Sequence, residues 1–468
     1  MSYFSLIYLG IFSLIISVLS FFNIVYSYYF NLYLNLDNYI YSLILSLFLG
    51  LLFLLKKKDD FKVSIYTKII TVILGYLILP LIISIPFYFS IYNISFLDSY
   101  FESISGFTST GFTIFDNIKH LDESLILWRT SSQWVGGLYF LFSIITLLDI
   151  FDNNLKKTLT NFLSFNRSET LKQSFKILIL YTFLTFFLFI ILKIFDFRTF
   201  TSFNFAMTLI SSGGFLPVND LSSVVNTETK EIIFSLSMLV SFFSIFLSYN
   251  VIFFKSKNIN FFQEDIYLFF YFLFLLLIFL VFFNFDYNFS VILLSLTSSL
   301  SNIGFSLNNV PSNLSFIFLI IVIIGGSFFS TSSGIRFLKL YTLFKFSIND
   351  LISHVRPKNI FINKHLYLDI SFKKNEVDKY FLSLIIFIIS LFILSSLLTI
   401  SDINFDDAFK LSILTLMNTV NSTMYGLEDF DFQNLSFLTK YYLIIFMIIG
   451  RVELLTFLII CKKILFKN

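Results

Sequence analysis

Apolar residues fill long unbroken runs of this chain, and short polar clusters interrupt them at intervals. A helix that crosses a bilayer takes about 20 predominantly apolar residues. Runs of that kind cover Ser2–Leu34, Asn38–Leu55, Ile69–Ile94, Thr130–Leu148, Ile177–Leu192, Ile232–Phe254, Ile266–Asn284, Phe316–Ile335, Tyr380–Ile400 and Phe437–Cys461, the last of which carries charges. They predict an all-α membrane protein of ten spans. Between alternate spans the connections are too long and too apolar to be simple turns. Each is predicted to dip into the membrane as a short helix and return.

Each dipping segment ends in a similar cluster of small polar residues: ISGFTSTGFT with Gly111, MTLISSGGFLP with Gly213 and Gly214, LTSSLSNIGFS with Gly304, and LTLMNTVNSTMYG with Asn421 at the matching place. Intervals of 102, 91 and 117 residues separate Gly111, Gly213, Gly304 and Asn421. Such self-similarity marks a repeat. It divides the chain into an N-terminal two-helix extension, 1–61, and four units of span, pore loop and span around one pore. The units are 62–155, 156–256, 257–346 and, with a cytoplasmic connection at its start, 347–468.

Non-helical backbone at membrane depth is tolerated only where it is buried in protein or lines a water-filled path. One Ser/Thr/Gly turn is ordinarily a helix-packing patch. Four of them, each between two spans, can turn backbone carbonyls toward a common axis and replace a cation's hydration shell. The predicted filter positions are Thr110 and Gly111, Ser212 and Gly213, Ile303 and Gly304, and Val420 and Asn421, with the ion held by backbone carbonyls alone. Asn421 breaks the glycine pattern, although asparagine tolerates left-handed backbone better than most residues.

Composition narrows the function. Of 468 residues 57% are hydrophobic and 13% charged, with a mean hydropathy of +0.86; soluble domains carry about 25% charged residues. The net charge of +3 says nothing about nucleic acid, and with no basic tract interleaved with aromatics a nucleic-acid partner is not expected. A single cysteine, Cys461, and three histidines, His120, His354 and His365, leave little for disulfides, zinc or Cys/His catalysis. With no acidic pair inside the spans either, an enzyme is not expected. No charge precedes Asp37, and the first apolar run far exceeds a signal-peptide core, so it is expected to stay as a span. Lysines and arginines crowd alternate connections, at Lys56–Lys58, Lys156–Lys176, Lys255–Lys257, Arg356–Lys379 and Lys462–Lys467. The bias of cytoplasmic loops toward positive charge then places both termini in the cytoplasm.

Two further features carry chemistry. GGSFFSTSSG, Gly325–Gly334, breaks an apolar helix halfway. Arg451 lies inside the last apolar run with Glu453 two residues on, and a charge there marks a functional position by default. Asp98, Glu102, Asp116, Asp220, Asp406, Asp407, Glu428 and Asp429 flank the dipping segments and would concentrate cations at the mouth. Arg129 and Gln133 are expected to hydrogen-bond between segments. The connection 347–379 is a candidate docking surface.

With these motifs in hand, the sequence resembles the Trk/Ktr/HKT superfamily of potassium-transporting membrane subunits, and within it the TrkH form. The likeness rests on ISGFTSTGFT, LWRTSSQWVGGLYF (Leu127–Phe140), SSGGF, IIGGSFFSTSSGIRFLKLYTLFK (Ile323–Lys345) and GRVELLTFLI (Gly450–Ile459). The resemblance implies potassium uptake across a bacterial inner membrane by a homodimer with one pore per protomer. It implies a gating loop beneath the filter made of Gly325, Gly326, Ser327, Ser330, Thr331, Ser332, Ser333 and Gly334, with Arg451 as an electrostatic barrier beside it. It also implies docking on a cytosolic TrkA-like nucleotide-binding ring. This chain has no phosphate-binding glycine loop, so no cofactor is expected in it and any nucleotide would sit on the partner. Asn421 leaves open a sodium-permeable or sodium-coupled carrier; a non-conducting scaffold or a membrane enzyme stands behind both.

Overall fold

The computed structural model describes residues 3–55, 64–151, 170–252, 262–283, 288–307, 310, 314–353, 374–427, 430–452, 456 and 459. Helices α1 (Tyr3–Tyr29) and α2 (Leu36–Leu54) form an N-terminal hairpin. Helices α3 (Ile65–Tyr88), α4 (Phe96–Phe107) and α5 (Glu123–Phe151) build the first unit, and α6 (Thr170–Ile194), α7 (Thr199–Ile210), α8 (Glu228–Phe242) and α9 (Ile245–Ile252) the second. The third comprises α10 (Gln263–Phe283), α11 (Phe289–Leu300), α12 (Ser315–Ile323), two short strands and α13 (Phe337–Ser353). Helices α14 (Lys374–Ile400), α15 (Phe405–Leu416) and α16 (Phe437–Val452) make the fourth.

Among the described residues seven helices, α1, α2, α3, α5, α6, α10 and α14, are long and apolar enough to cross a membrane. By contrast α4, α7, α11 and α15 are each 12 residues long. At 1.5 Å per residue they reach about 18 Å, little more than half the hydrocarbon core, so they can enter it but not cross it. Their C-termini converge in the middle of the molecule.

Helix association in a bilayer relies on close packing and hydrogen bonds. In the hairpin a Cβ on Gly10 would stand 3.1 Å from the Leu54 side chain and 3.2 Å from the Gly50 carbonyl, so the two small residues let the backbones approach. The hairpin is tied to the first unit by Asn23 Nδ2 donating to the Ser124 carbonyl (3.1 Å) and Asn35 Nδ2 donating to Asp122 Oδ2 (2.6 Å). Helix α5 is the central post of the fold. Its Tyr139 hydroxyl donates to the carbonyls of Thr71 and Val72 at 3.2 and 3.0 Å and its ring packs on Phe12, Tyr76 and Phe107.

Two of the predicted spans are not single helices. The run Ile232–Phe254 breaks between α8 and α9, where the Ser244 amide donates to Asp265 Oδ1 at 2.9 Å. Phe316–Ile335 ends as a helix at Ile323, as the small-residue cluster suggested. There the chain extends into β1 (Ile324–Gly325), which pairs in parallel with β2 (Ile335–Arg336), so the intervening loop is closed at its neck. The breaks serve each other: the Ser241 and Phe242 carbonyls accept from the amides of Ser332 and Ser327 in that loop, at 3.1 and 3.0 Å.

Helix α13 runs through the predicted unit boundary at 346/347. The boundaries at 61/62, 155/156 and 256/257 lie outside the described residues. So do Lys56–Lys58, residues 354–373 of the candidate docking connection, Glu428, Asp429, Glu453 and Cys461.

Candidate functional site

The four short helices end alike. Each is closed by a residue in the left-handed region, Ser109, Ser212, Asn302 and Asn418, at φ of 59°, 55°, 58° and 48°. The next amide reaches back five residues each time: Thr110 to the Ser105 carbonyl, Gly213 to Thr208, Ile303 to Ser298 and Thr419 to Leu414, at 2.8–3.1 Å. This hydrogen-bonded helix end fixes the register. It corrects two of the sequence assignments. The residue equivalent to Gly111 and Gly304 is Gly214, not Gly213, and in the fourth turn it is Val420, not Asn421. Gly213 occupies the place of Thr110, and Asn421 that of Phe112. Paired glycines left the second register open to sequence, and the fourth turn has no glycine to mark it.

Gly111, Gly214, Gly304 and Val420 meet at one level. A Cβ on Gly111 would stand 2.5 Å from the Gly214 Cα; one on Gly214 would stand 2.5 Å from Val420 Cβ; one on Gly304 would stand 2.6 Å from the Val420 carbonyl oxygen. Gly111 and Gly304 have φ of 85° and 87°, where any side chain is strained, while Gly214 and Val420 lie outside that region. The first and third turns therefore share one backbone geometry, and the second and fourth depart from it.

Side chains link the turns into a ring. Asn418 Nδ2 donates to Thr110 Oγ1 at 3.0 Å, the Ser212 hydroxyl to the Ser301 carbonyl, and Asn302 Nδ2 to Thr419 Oγ1 at 3.3 Å. Gln133 Oε1 on α5 accepts from the Phe215 amide at 3.3 Å, joining the first unit to the second turn.

Behind the first turn lies a buried ion pair. Arg129 Nε donates to Glu102 Oε1 at 2.8 Å, with the two side chains 1% and 0% exposed. Glu102 also accepts from the Ile114 amide (3.0 Å) and the Thr113 hydroxyl (3.1 Å), which pins the chain just after Gly111. The guanidinium stands 4.2 Å from the Phe215 ring centroid, so the same arginine braces the second turn. Glu102 is thus a brace for the turns, not one of the mouth acids that its position in the sequence suggested. Asp98 pairs with Lys440 across the ring between the first and fourth units, while Asp116, Asp220 and Asp406 are exposed.

The loop closed by β1 and β2 packs against the ends of the short helices and is buried throughout Gly325–Ser333. Thr331 Oγ1 donates to the carbonyl of Ile210, the last residue of α7, at 2.8 Å. At its other side Glu264 Oε1 and Oε2 accept from the Phe328 amide at 3.1 and 3.2 Å, and Oε2 accepts from the Ser327 hydroxyl at 3.1 Å. Arg336 Nη1 donates to the Ser327 carbonyl and to Ser330 Oγ, both at 3.1 Å. Arg451, 1% exposed, donates to Ser333 Oγ and, at 3.3 Å, to Ser109 Oγ of the first turn. Its guanidinium stands 3.8 Å from the Phe140 ring centroid, and Arg336 approaches the same ring at 4.9 Å. Among the described residues no carboxylate pairs with Arg451. A cavity of about 50 Å³ beside it is lined by Ser333, Gly334, Arg336, Lys339 and Gly450.

The structure therefore brings Thr110, Gly111, Gly213, Ile303, Gly304 and Val420 together, packs the 325–334 loop against the end of α7 and bonds Arg451 to both that loop and the first turn. Sequence reasoning passed over Glu264, Asp265 and Arg336. A signal was available, since all three stand at the edges of apolar runs, where a charge calls for a buried partner.

Comparison with known proteins agrees with this architecture. The TrkH family model, described as a cation transport protein, matches residues 284–467. An uncharacterised cation transporter of Methanocaldococcus jannaschii is 25% identical over 371 residues, 76% of this chain and 73% of that one. The Trk system potassium uptake protein TrkH of Escherichia coli is 22% identical over 422 residues, 83% of each. The crystal structure of the potassium transporter TrkH from Vibrio parahaemolyticus superposes with a TM-score of 0.82 over 98% of each chain, at 20% identity.

Proposed function

Starting from a chain that is TrkH-like in sequence and fold, we propose that it carries potassium across the bacterial inner membrane, through the ring formed by its four turns. The observation that carries the reading is the convergence of four equivalent 12-residue helices and their left-handed ends on Gly111, Gly214, Gly304 and Val420, in the core of a multi-pass helical protein. Carbonyls of Thr110, Gly213, Ile303 and Thr419 and of the residues beside them replace water around the ion. Helices that enter without crossing aim their negative C-terminal ends at the same point, which favours a cation there.

The loop of residues 325–334 is the gate. It lies across the exit of the ring, and its hydroxyls and carbonyls are held by groups from the second, third and fourth units. Arg451 raises the barrier while the gate is closed. A unit charge 4 Å from a passing cation costs about 4 kcal/mol at an effective dielectric of 20. Opening requires the Ser333 and Ser109 contacts of Arg451 to be exchanged, which the cytosolic TrkA-like ring drives from the side of α13. The working unit is a homodimer with both termini cytoplasmic and any nucleotide on the partner ring.

Growth of a bacterium stripped of its own potassium uptake systems tests this. Expression with the native regulatory ring restores growth at low potassium, and Gly111→Asp abolishes the rescue at equal membrane abundance. Full rescue by Gly111→Asp would remove the ring from the transport path. A sodium-permeable carrier is the second reading, favoured by the valine in the fourth turn, and sodium uptake in the same cells separates the two.

A further inference from the structure

We propose that the small polar cavity between the 325–334 loop and α16 is a binding site for a small monovalent anion such as chloride. The cavity, of about 50 Å³, is bounded by Ser333 and Arg336 at the end of the loop, Lys339 on α13, Ser383 on α14 and Arg451 on α16, with Phe140 of α5 along one side. Three of these side chains are cationic and all three are buried: Arg451 is 1% exposed, Arg336 3% and Lys339 5%. Both guanidinium groups lie against the same Phe140 ring, 3.8 and 4.9 Å from its centroid. Like charges gathered in a buried site repel one another, and an anion set among them turns repulsion into attraction. No carboxylate is among the described residues that line the cavity. Glu264, the acid that holds the loop, bonds to Phe328 and Ser327 and is not part of the lining.

Unspent donors point to the same ligand. Arg451 Nη1 donates to Ser333 Oγ and Nη2 to Ser109 Oγ at 3.3 Å, while the buried Nε has no hydrogen-bond partner among the described residues. Buried N–H groups ordinarily have an acceptor. The Ser333 hydroxyl accepts from the same arginine, which leaves its own hydrogen for an acceptor as well. This division of the guanidinium also selects the kind of anion. Carboxylates and phosphates are taken by a fork of two parallel N–H groups, and here both Nη groups already bond hydroxyls. A single N–H beside a hydroxyl suits a spherical ion. The volume is several times the least that holds one water, so a small ion fits with room to spare.

The site stands on the cavity and its charges, whichever cation passes the ring. A bound anion bridges the loop to α13 and α16, so it stabilises the arrangement in which Arg451 bonds Ser333. One negative charge among three positive side chains leaves this lining net positive, so the barrier assigned to Arg451 is lowered and not removed.

Exchange of gluconate for halide tests this on the purified full-length chain. Chloride or bromide replaces gluconate at constant potassium concentration and ionic strength, and the melting temperature is followed. Saturable stabilisation by both halides is expected, with bromide located in the cavity by anomalous diffraction. Lys339→Gln should weaken chloride binding about tenfold, as loss of one hydrogen bond from a charged group does. Arg451→Gln should abolish saturation, and the lysine variant carries the test should the arginine variant fail to fold. Saturation that is identical in the wild type and both variants would place the ion elsewhere and overturn the site. A wild-type melting temperature indifferent to halide would leave the cavity to water and overturn it equally, as would stabilisation by inorganic phosphate without stabilisation by halide.

Discussion

Glu102 and Arg129 are fully buried, and each is the main charged partner of the other. Replacing one member of such a pair leaves a buried charge uncompensated, at a cost of about 3–5 kcal/mol. Glu102→Gln should therefore lower the melting temperature of the purified protein and, by releasing the Thr113–Ile114 segment, reduce potassium uptake; Asp116→Asn, an exposed acid nearby, should change neither. Arg451→Ala removes a positive charge and the tether to Ser333 together, so rubidium uptake into vesicles without the regulatory ring should rise several-fold. An unchanged or lower rate would mean that Arg451 is not a barrier. Most of these residues were visible in the sequence, but their partners were not. Glu102 and Arg129 are 27 positions apart and meet only because α4 doubles back against α5. The register of the turns was misplaced at Gly213 and Asn421 for a related reason. Its marker is the left-handed residue that ends each short helix, and serine or asparagine in that role looks like any other serine or asparagine in a polar cluster.

At the scale of elements, the long spans were legible because each is apolar over its full length. The breaks within them were legible only where small residues announced them. GGSFFSTSSG signalled the loop, whereas Phe242–Phe243–Ser244 carries no such mark, and α8 ends there because tertiary partners claim its backbone. The loop in turn is held by Glu264, which accepts from one amide and one hydroxyl. A hydrogen bond within the protein contributes about 0.5–1.5 kcal/mol net. Glu264→Gln should loosen the loop and raise the leak of rubidium through closed vesicles, while the ratio of potassium to sodium flux stays as in the wild type, since no turn residue is touched. A change in that ratio would show that the loop and the turns do not act separately.

Over the whole molecule the N-terminal hairpin stands apart from the ring of four units, touching it along α3 and α5. Gly10→Leu should wedge α1 from α2, destabilising the protein by about 1–3 kcal/mol as overpacking does, with potassium uptake per folded molecule retained; loss of uptake in protein that melts normally would tie the hairpin to transport. The most consequential element of the architecture is among its smallest, the two-residue ladder between Ile324–Gly325 and Ile335–Arg336. Because it joins the two ends of the 325–334 loop, tension along α13 passes straight into α12 and bypasses the loop between them. Tension along the chain therefore cannot unravel the loop like a slack thread. A load on either flank would reach it as a twist at the neck, taken up by the loop as a unit rather than residue by residue.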